Sequence, residues 1–99
     1  MSREFNLTIN FTTNENESFV TIKIEGELNA SSALIFEDEI KKIFLTKPQN
    51  VYLDLKDVDS IISSAIGSLL VYQDFVIKKG FTFKIISINE RIKSILDLK

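Results

Sequence analysis

Val20-Thr21-Ile22-Lys23-Ile24-Glu25-Gly26-Glu27-Leu28-Asn29-Ala30-Ser31-Ser32-Ala33-Leu34-Ile35-Phe36 contains the change of rhythm that decides the fold. Before Asn29, Val20, Ile22 and Ile24 alternate with polar neighbours, the period of two of a half-buried strand ending near Gly26. After it, Ala33, Phe36, Ile40, Ile43 and Phe44 recur on one helical face, while Glu37, Asp38, Lys41 and Lys42 fall elsewhere. Asn29 stands where the helix needs an N-cap, able to accept an orphan backbone N–H of the first turn. A strand period therefore gives way to a helix period after Asn29.

Upstream, Phe5, Leu7, Ile9 and Phe11 alternate in the same way, and the polar run from Thr13 to Glu17 reads as a turn, so the first two strands predict a hairpin. Downstream, Pro48 closes the helix. Asn50-Val51-Tyr52-Leu53-Asp54-Leu55 is short and mostly apolar, which suits a central strand covered on at least one face. A second helix is predicted from about Ser63 to Lys79, stopped by Gly80, with Ile66, Leu69, Leu70, Val76 and Ile77 on one face. Phe81, Phe83, Ile85 and Ile86 supply a last strand, and Asn89 caps a short third helix carrying Ile92, Ile95 and Leu96. The order is β-β-α-β-α-β-α. Strands joined through helices usually lie parallel with right-handed crossovers, so the expected fold is α/β: a mixed sheet that starts with an N-terminal hairpin and carries its helices mainly on one face. One domain over 1–99 is expected.

Composition narrows the chemistry. Ninety-nine residues, 44% of them apolar, with eight phenylalanines, suffice for one hydrophobic core. Cysteine and histidine are both missing, which removes disulfides, thiolate zinc sites, the commonest metal ligand and the usual general base at neutral pH. A formal net charge of −2 with interspersed lysines and glutamates offers no basic stripe for nucleic acid and no polybasic membrane anchor. No apolar run approaches a bilayer-spanning length, so no direct membrane insertion is expected and a cytoplasmic location is the natural expectation. Asn6-Leu7-Thr8 and Asn10-Phe11-Thr12 match the glycosylation pattern, but without a secretory signal they read as chance.

The stretch that bears on function is Asp54-Leu55-Lys56-Asp57-Val58-Asp59-Ser60-Ile61-Ile62-Ser63-Ser64-Ala65-Ile66-Gly67, read as a buried strand, a loop, and a helix opening with two serines. A helix N-terminus presents unpaired N–H groups and about half a positive charge, so it holds a capping hydroxyl or an anion. Phosphate on a serine there would add about −1.5 to −2 charges and change the surface a partner meets. The plainer reading is that Ser63 or Ser64 is simply the N-cap.

Three segments, in order and over nearly the whole chain, resemble the STAS domain of bacterial anti-sigma factor antagonists. They are Ile22-Lys23-Ile24-Glu25-Gly26-Glu27-Leu28-Asn29, Val51-Tyr52-Leu53-Asp54-Leu55, and Ile62-Ser63-Ser64-Ala65-Ile66-Gly67 leading into Ser68-Leu69-Leu70. The resemblance implies a non-enzymatic switch without a cofactor. Its partners would be an anti-sigma factor that is a serine kinase, and a serine phosphatase. The unphosphorylated protein binds the kinase, and phosphorylation of the first serine of the pair releases it. By position that serine is Ser63, and less so Ser64, with Asn29 nearby. Three residues depart from the family pattern: Ile62 and Asn29 each replace an aspartate, and Ala65 replaces a glycine. The chain also ends soon after its third helix begins, whereas family members often continue, which fits a truncated C-terminus.

If Ile66 centres the core face of the second helix, Phe75 projects outward, flanked by Val71 and Tyr72, as a candidate partner patch. The expected partner-binding set is therefore Asn29, Ser63, Ser64, Gly67, Val71, Tyr72 and Phe75. Crowding of the core around more of the helix would produce the same pattern. Asp54, Asp57 and Asp59 could suggest an oxygen-ligand metal site. The central glycine and final glutamate of an EF-hand are missing, and these residues read as one strand position and two solvated loop charges, so no metal is expected. A phosphoacceptor receiver domain would need an acidic pair after its first strand and a longer chain. The alternative function is a STAS-like assembly subunit of a membrane transport or signalling complex, without phosphorylation.

Overall fold

The computed structural model describes residues 5–97. Strand β1 (Asn6–Thr13) turns into β2 (Ser18–Leu28), followed by α1 (Ala30–Thr46), β3 (Asn50–Ile61), α2 (Ser63–Lys78), β4 (Phe83–Ile88) and α3 (Glu90–Asp97). The α/β order expected from the sequence is the order found. The four strands form one sheet in the order β1-β2-β3-β4; β1 is antiparallel to β2, and β2, β3 and β4 are parallel. At the hairpin, the Asn14 side chain accepts the N–H groups of Asn16 and Glu17 at 2.8 and 3.0 Å, closing the turn.

Two successive right-handed crossovers stepping in the same direction put α1 and α2 on the same face of the sheet. That face holds the core: Val20, Ile22, Ile24 and Leu28 of β2, Val51, Leu53, Leu55, Val58 and Ile61 of β3, and Ala33, Phe36, Ile40 and Ile43 of α1. Burying each large side chain contributes about 1.5–3 kcal/mol. The opposite face is polar and carries the Lys23–Asp57 ion pair at 3.1 Å and the Phe19–Tyr52 ring pair. After β4, the Asn89 amide donates to the Lys56 and Val58 carbonyls, both at 2.9 Å, while its oxygen accepts the Ile92 N–H at 2.9 Å. One side chain thus caps α3 and ties it to β3, with Ile92 fully buried.

Two local readings are corrected. The stretch after Leu55 is strand rather than loop, because β3 runs on to Ile61. Its register against β2 shifts twice, so the buried positions step from Leu55 to Val58 to Ile61 instead of by twos. Such bulges hide a strand from any search for alternation. On α2 the buried stripe is Ala65, Leu69, Tyr72 and Val76, while Leu70 and Ile77 are exposed. The helix ends as expected: Gly80 sits at φ 93°, its N–H donates to the Ile77 carbonyl, and the Phe81 N–H donates to Val76.

Candidate functional site

Asn29 and Ile62 are the single residues that lead out of β2 and β3 into α1 and α2. Leu28 pairs with Ile61 across the sheet, and the Ile62 N–H donates to the Leu28 carbonyl at 3.1 Å. The two helices therefore start side by side, beyond the carboxyl ends of adjacent parallel strands, where open α/β sheets place their sites.

The two starts are built differently. At α1, the Asn29 side chain accepts the Ser32 N–H at 3.0 Å, and the Ser32 hydroxyl accepts the Asn29 N–H at 2.8 Å, a reciprocal capping box. Ser32 Oγ also donates to the Glu27 carbonyl at 2.8 Å and is buried. Asn29 is the N-cap its position predicts, and its amide is committed to that role. At α2 the N-cap is Ile62, in extended conformation and without a side-chain cap bond, and no acidic residue stands in the first turn. Neither serine is the cap. Ser63 and Ser64 are the first two helical residues, both exposed, and among the described residues neither hydroxyl makes a hydrogen bond. The Ala65 N–H turns back to the Ile62 carbonyl at 3.0 Å, which leaves the Ser63 and Ser64 N–H groups without a cap, at the positive end of the helix dipole.

Beyond the serines the exposed surface of α2 is apolar as far as Val71, before the exposed Asp74–Lys78 ion pair at 3.0 Å. A Cβ placed on Gly67 would meet nothing within 4 Å, so this turn is bare. Leu70 is 43% and Val71 62% exposed, and Ile62 at the helix start is 43% exposed. Leu34 and Ile35, in the first turns of α1, are exposed too. The expected outward trio does not hold together: Val71 faces solvent, but Tyr72 is buried and Phe75 is half-buried. Phe75 packs between Phe44 (ring centroids 5.4 Å apart) and Tyr72 (6.3 Å), and Tyr72 meets Phe36 edge-on. Both rings belong to the α1–α2 seam. The core stripe is centred on Leu69 rather than on Ile66, and that rotation carries them inward. The Tyr72 hydroxyl donates to the Glu37 carboxylate; burial, then this bond, push Tyr72 up to about 12. The same bond, with Lys41 behind it, holds Glu37 below the usual carboxylate range.

Reading the sequence missed Ser32, placed Leu70 on the core face, and singled out Ile62 only as a departure from the family pattern. The signal for Ser32 was present: Asn29-Ala30-Ser31-Ser32 places a hydroxyl three residues after the cap, the spacing of a reciprocal box. Asp54, Asp57 and Asp59 lie within β3. Asp54 accepts the Lys56 N–H at 3.0 Å, and Asp57 pairs with Lys23. Among the described residues no group of three or more carboxylates could hold a metal ion, and no helix is long and apolar enough to cross a membrane.

Residues 10–98 match the STAS domain family. A Thermotoga maritima protein named "Putative anti-sigma factor antagonist" is 33% identical over 83 residues, covering 83% of this chain and 74% of its own. A Thermotoga neapolitana homologue is 32% identical over the same shares. Among solved structures, an uncharacterized Shewanella loihica protein with a SpoIIAA-like fold superposes with a TM-score of 0.65 at 14% identity, covering 99% of this chain and 80% of that one. That likeness is one of fold. With the sheet order, the helix-start pair and these relatives in agreement, the chain belongs to the STAS domain family, in its anti-sigma factor antagonist branch.

Proposed function

We propose that this chain is an anti-sigma factor antagonist working by partner switching, and that it catalyses nothing itself. Unmodified, it docks on an anti-sigma factor serine kinase through the paired helix starts: Asn29, Ser63, Ser64, Gly67 and Val71, with Ile62 and Leu70 completing the apolar part. The kinase supplies ATP and phosphorylates Ser63, the complex separates, and a serine phosphatase resets the state.

The observation that carries this reading is the asymmetry of the two helix starts. α1 is closed by a reciprocal side-chain cap, whereas α2 has no side-chain cap and opens on an exposed serine; neither first turn holds an acidic residue. A phosphate on Ser63 would meet uncommitted N–H groups and the positive helix end, so the fold tolerates it. The partner does not, because burying a dianion without a cation costs on the order of several kcal/mol. Titration of the cognate kinase with Ser63→Asp and Ser63→Ala tests the idea. The alanine variant should bind like the parent and the aspartate variant should not bind, with both folds intact. Equal affinity would remove Ser63 from the switch.

A second reading has one observation in its favour. Ile62 presents an exposed apolar side chain beside Ser63, at the position where the family pattern has aspartate. A permanently apolar surface there suits a constitutive assembly subunit, bound without phosphorylation in a transport or signalling complex.

A further inference from the structure

We propose that Ile62 selects the partner: its exposed apolar side chain at the start of α2 requires an apolar surface, free of cations, on the anti-sigma factor kinase that docks there. This assignment rests on the partner-switch reading and adds the chemistry of the partner's facing surface.

Ile62 breaks two local rules at once. As N-cap of α2, at φ −93° and ψ 162°, it stands where serine, aspartate and asparagine are strongly preferred and isoleucine is among the least favoured residues. Its side chain makes no cap bond, and its backbone alone serves the fold. The N–H donates to the Leu28 carbonyl, and its own carbonyl accepts the Ala65 and Ile66 N–H groups. The side chain is also exposed, whereas Ile66, one turn further on, packs against the core. Any of the preferred caps would adopt the same extended backbone and accept a first-turn N–H. A position that forgoes a cap and shows apolar surface to water gains nothing for the fold by either, which is where functional demands surface.

The surroundings define what covers it. Charged residues make up 26% of the chain, yet residues 28–36 and 60–73, which hold both helix starts, contain none. The first charges along the two helices are Glu37 and Asp74. On these two runs the large exposed apolar side chains are Leu34, Ile35, Ile62, Leu70 and Val71. A lysine or arginine brought against Ile62 would find no counter-charge and would meet the positive ends of two helices. An apolar surface instead gains from the area that both sides remove from water. Aspartate at the same place would cap the helix and recruit a cation. The side chain at 62 therefore decides between charged and apolar partner surfaces.

Stability and affinity measured on the same variants test the proposal. Ser63→Ala serves as the reference, since it removes the phosphoacceptor. In that background Ile62→Asn adds a neutral cap, and Ile62→Val keeps the apolar surface. Ile62→Asn should raise Tm, by up to about 4–8 °C, and weaken binding of the cognate anti-sigma factor kinase at least about tenfold. Ile62→Val should bind within about threefold of the reference. A purely structural role would move stability and affinity the same way. Ile62→Asn that binds as tightly as the reference overturns the proposal, and so does Ile62→Asn that loses Tm and affinity together. A reference that binds no anti-sigma factor kinase at all overturns the partner-switch reading itself, and the selection at Ile62 falls with it.

Discussion

Ser32→Ala should destabilise the protein by about 2 kcal/mol, more than an ordinary helix cap, because this one hydroxyl serves two backbone groups. It accepts the Asn29 N–H and donates to the Glu27 carbonyl, each at 2.8 Å, in a side chain only 3% exposed. Each bond contributes about 0.5–1.5 kcal/mol net, and each group left unpaired out of reach of water costs about 1–3 kcal/mol. Asn29 is only half-buried, which holds the sum to the lower part of that range, and the better helix propensity of alanine returns about 0.5 kcal/mol. In a domain of this size the loss corresponds to roughly 8–16 °C in Tm. Asn29→Ala removes a single cap bond and should cost about 1 kcal/mol. Asn29→Asp keeps the acceptor and adds negative charge at the positive helix end, so it should stabilise by about 0.3–1 kcal/mol. Because the two residues bond each other, the Asn29→Ala/Ser32→Ala double variant should lose less than the sum of the single losses. Urea unfolding of the four variants reads all of these. A Ser32→Ala loss under about 0.5 kcal/mol, or strict additivity in the double variant, would refute the reciprocal cap.

Three further outcomes can be checked in the same preparation. Gly26 holds φ 86° within β2 and is buried, so Gly26→Ala should cost about 1–2 kcal/mol in urea unfolding; an unchanged midpoint would show that the strand accommodates a side chain there. Val71→Asp, at a position 62% exposed, should leave stability within about 0.5 kcal/mol of the parent and still weaken kinase binding at least tenfold. Retained affinity would move the docking surface off α2. Tyr72 is raised from 10.0 to about 12, so its contribution is complete below pH 10 and is lost as the pH rises through 12. The parent should therefore lose stability across that window more steeply than Tyr72→Phe, followed by alkaline unfolding, and parallel curves would contradict the burial and the Glu37 bond that together raise it.

Much of this architecture is legible in the residues, and the places where it is not have identifiable causes. The hairpin, α1 and its cap follow from a clean change of period at Asn29, where local propensity and burial agree. β3 looked shorter than it is, because two bulges turn Val58 and Ile61 inward while Lys56, Asp57 and Asp59 supply the polar content of a loop. α2 misled differently. Apolar residues surround it, so the stripes through Ile66 and through Leu69 were equally readable, and only packing against Phe36 and Phe44 selects the second. Tyr72 reads as a surface residue until Glu37 is found to take its hydroxyl. Of the candidate site, the helix-start pair Asn29 and Ser63 was visible in sequence. Ile62 stands out only as a departure from the family pattern, and Leu70 reads as core until packing shows that it points outward.

Intact-mass spectrometry of the purified chain, after incubation with ATP and its cognate anti-sigma factor kinase, puts the partner switch to the proof. One added phosphate is predicted, mapping to Ser63 and missing from Ser63→Ala. A chain that gains no phosphate while the same kinase modifies a control substrate would contradict the switch, and the constitutive assembly subunit would take its place.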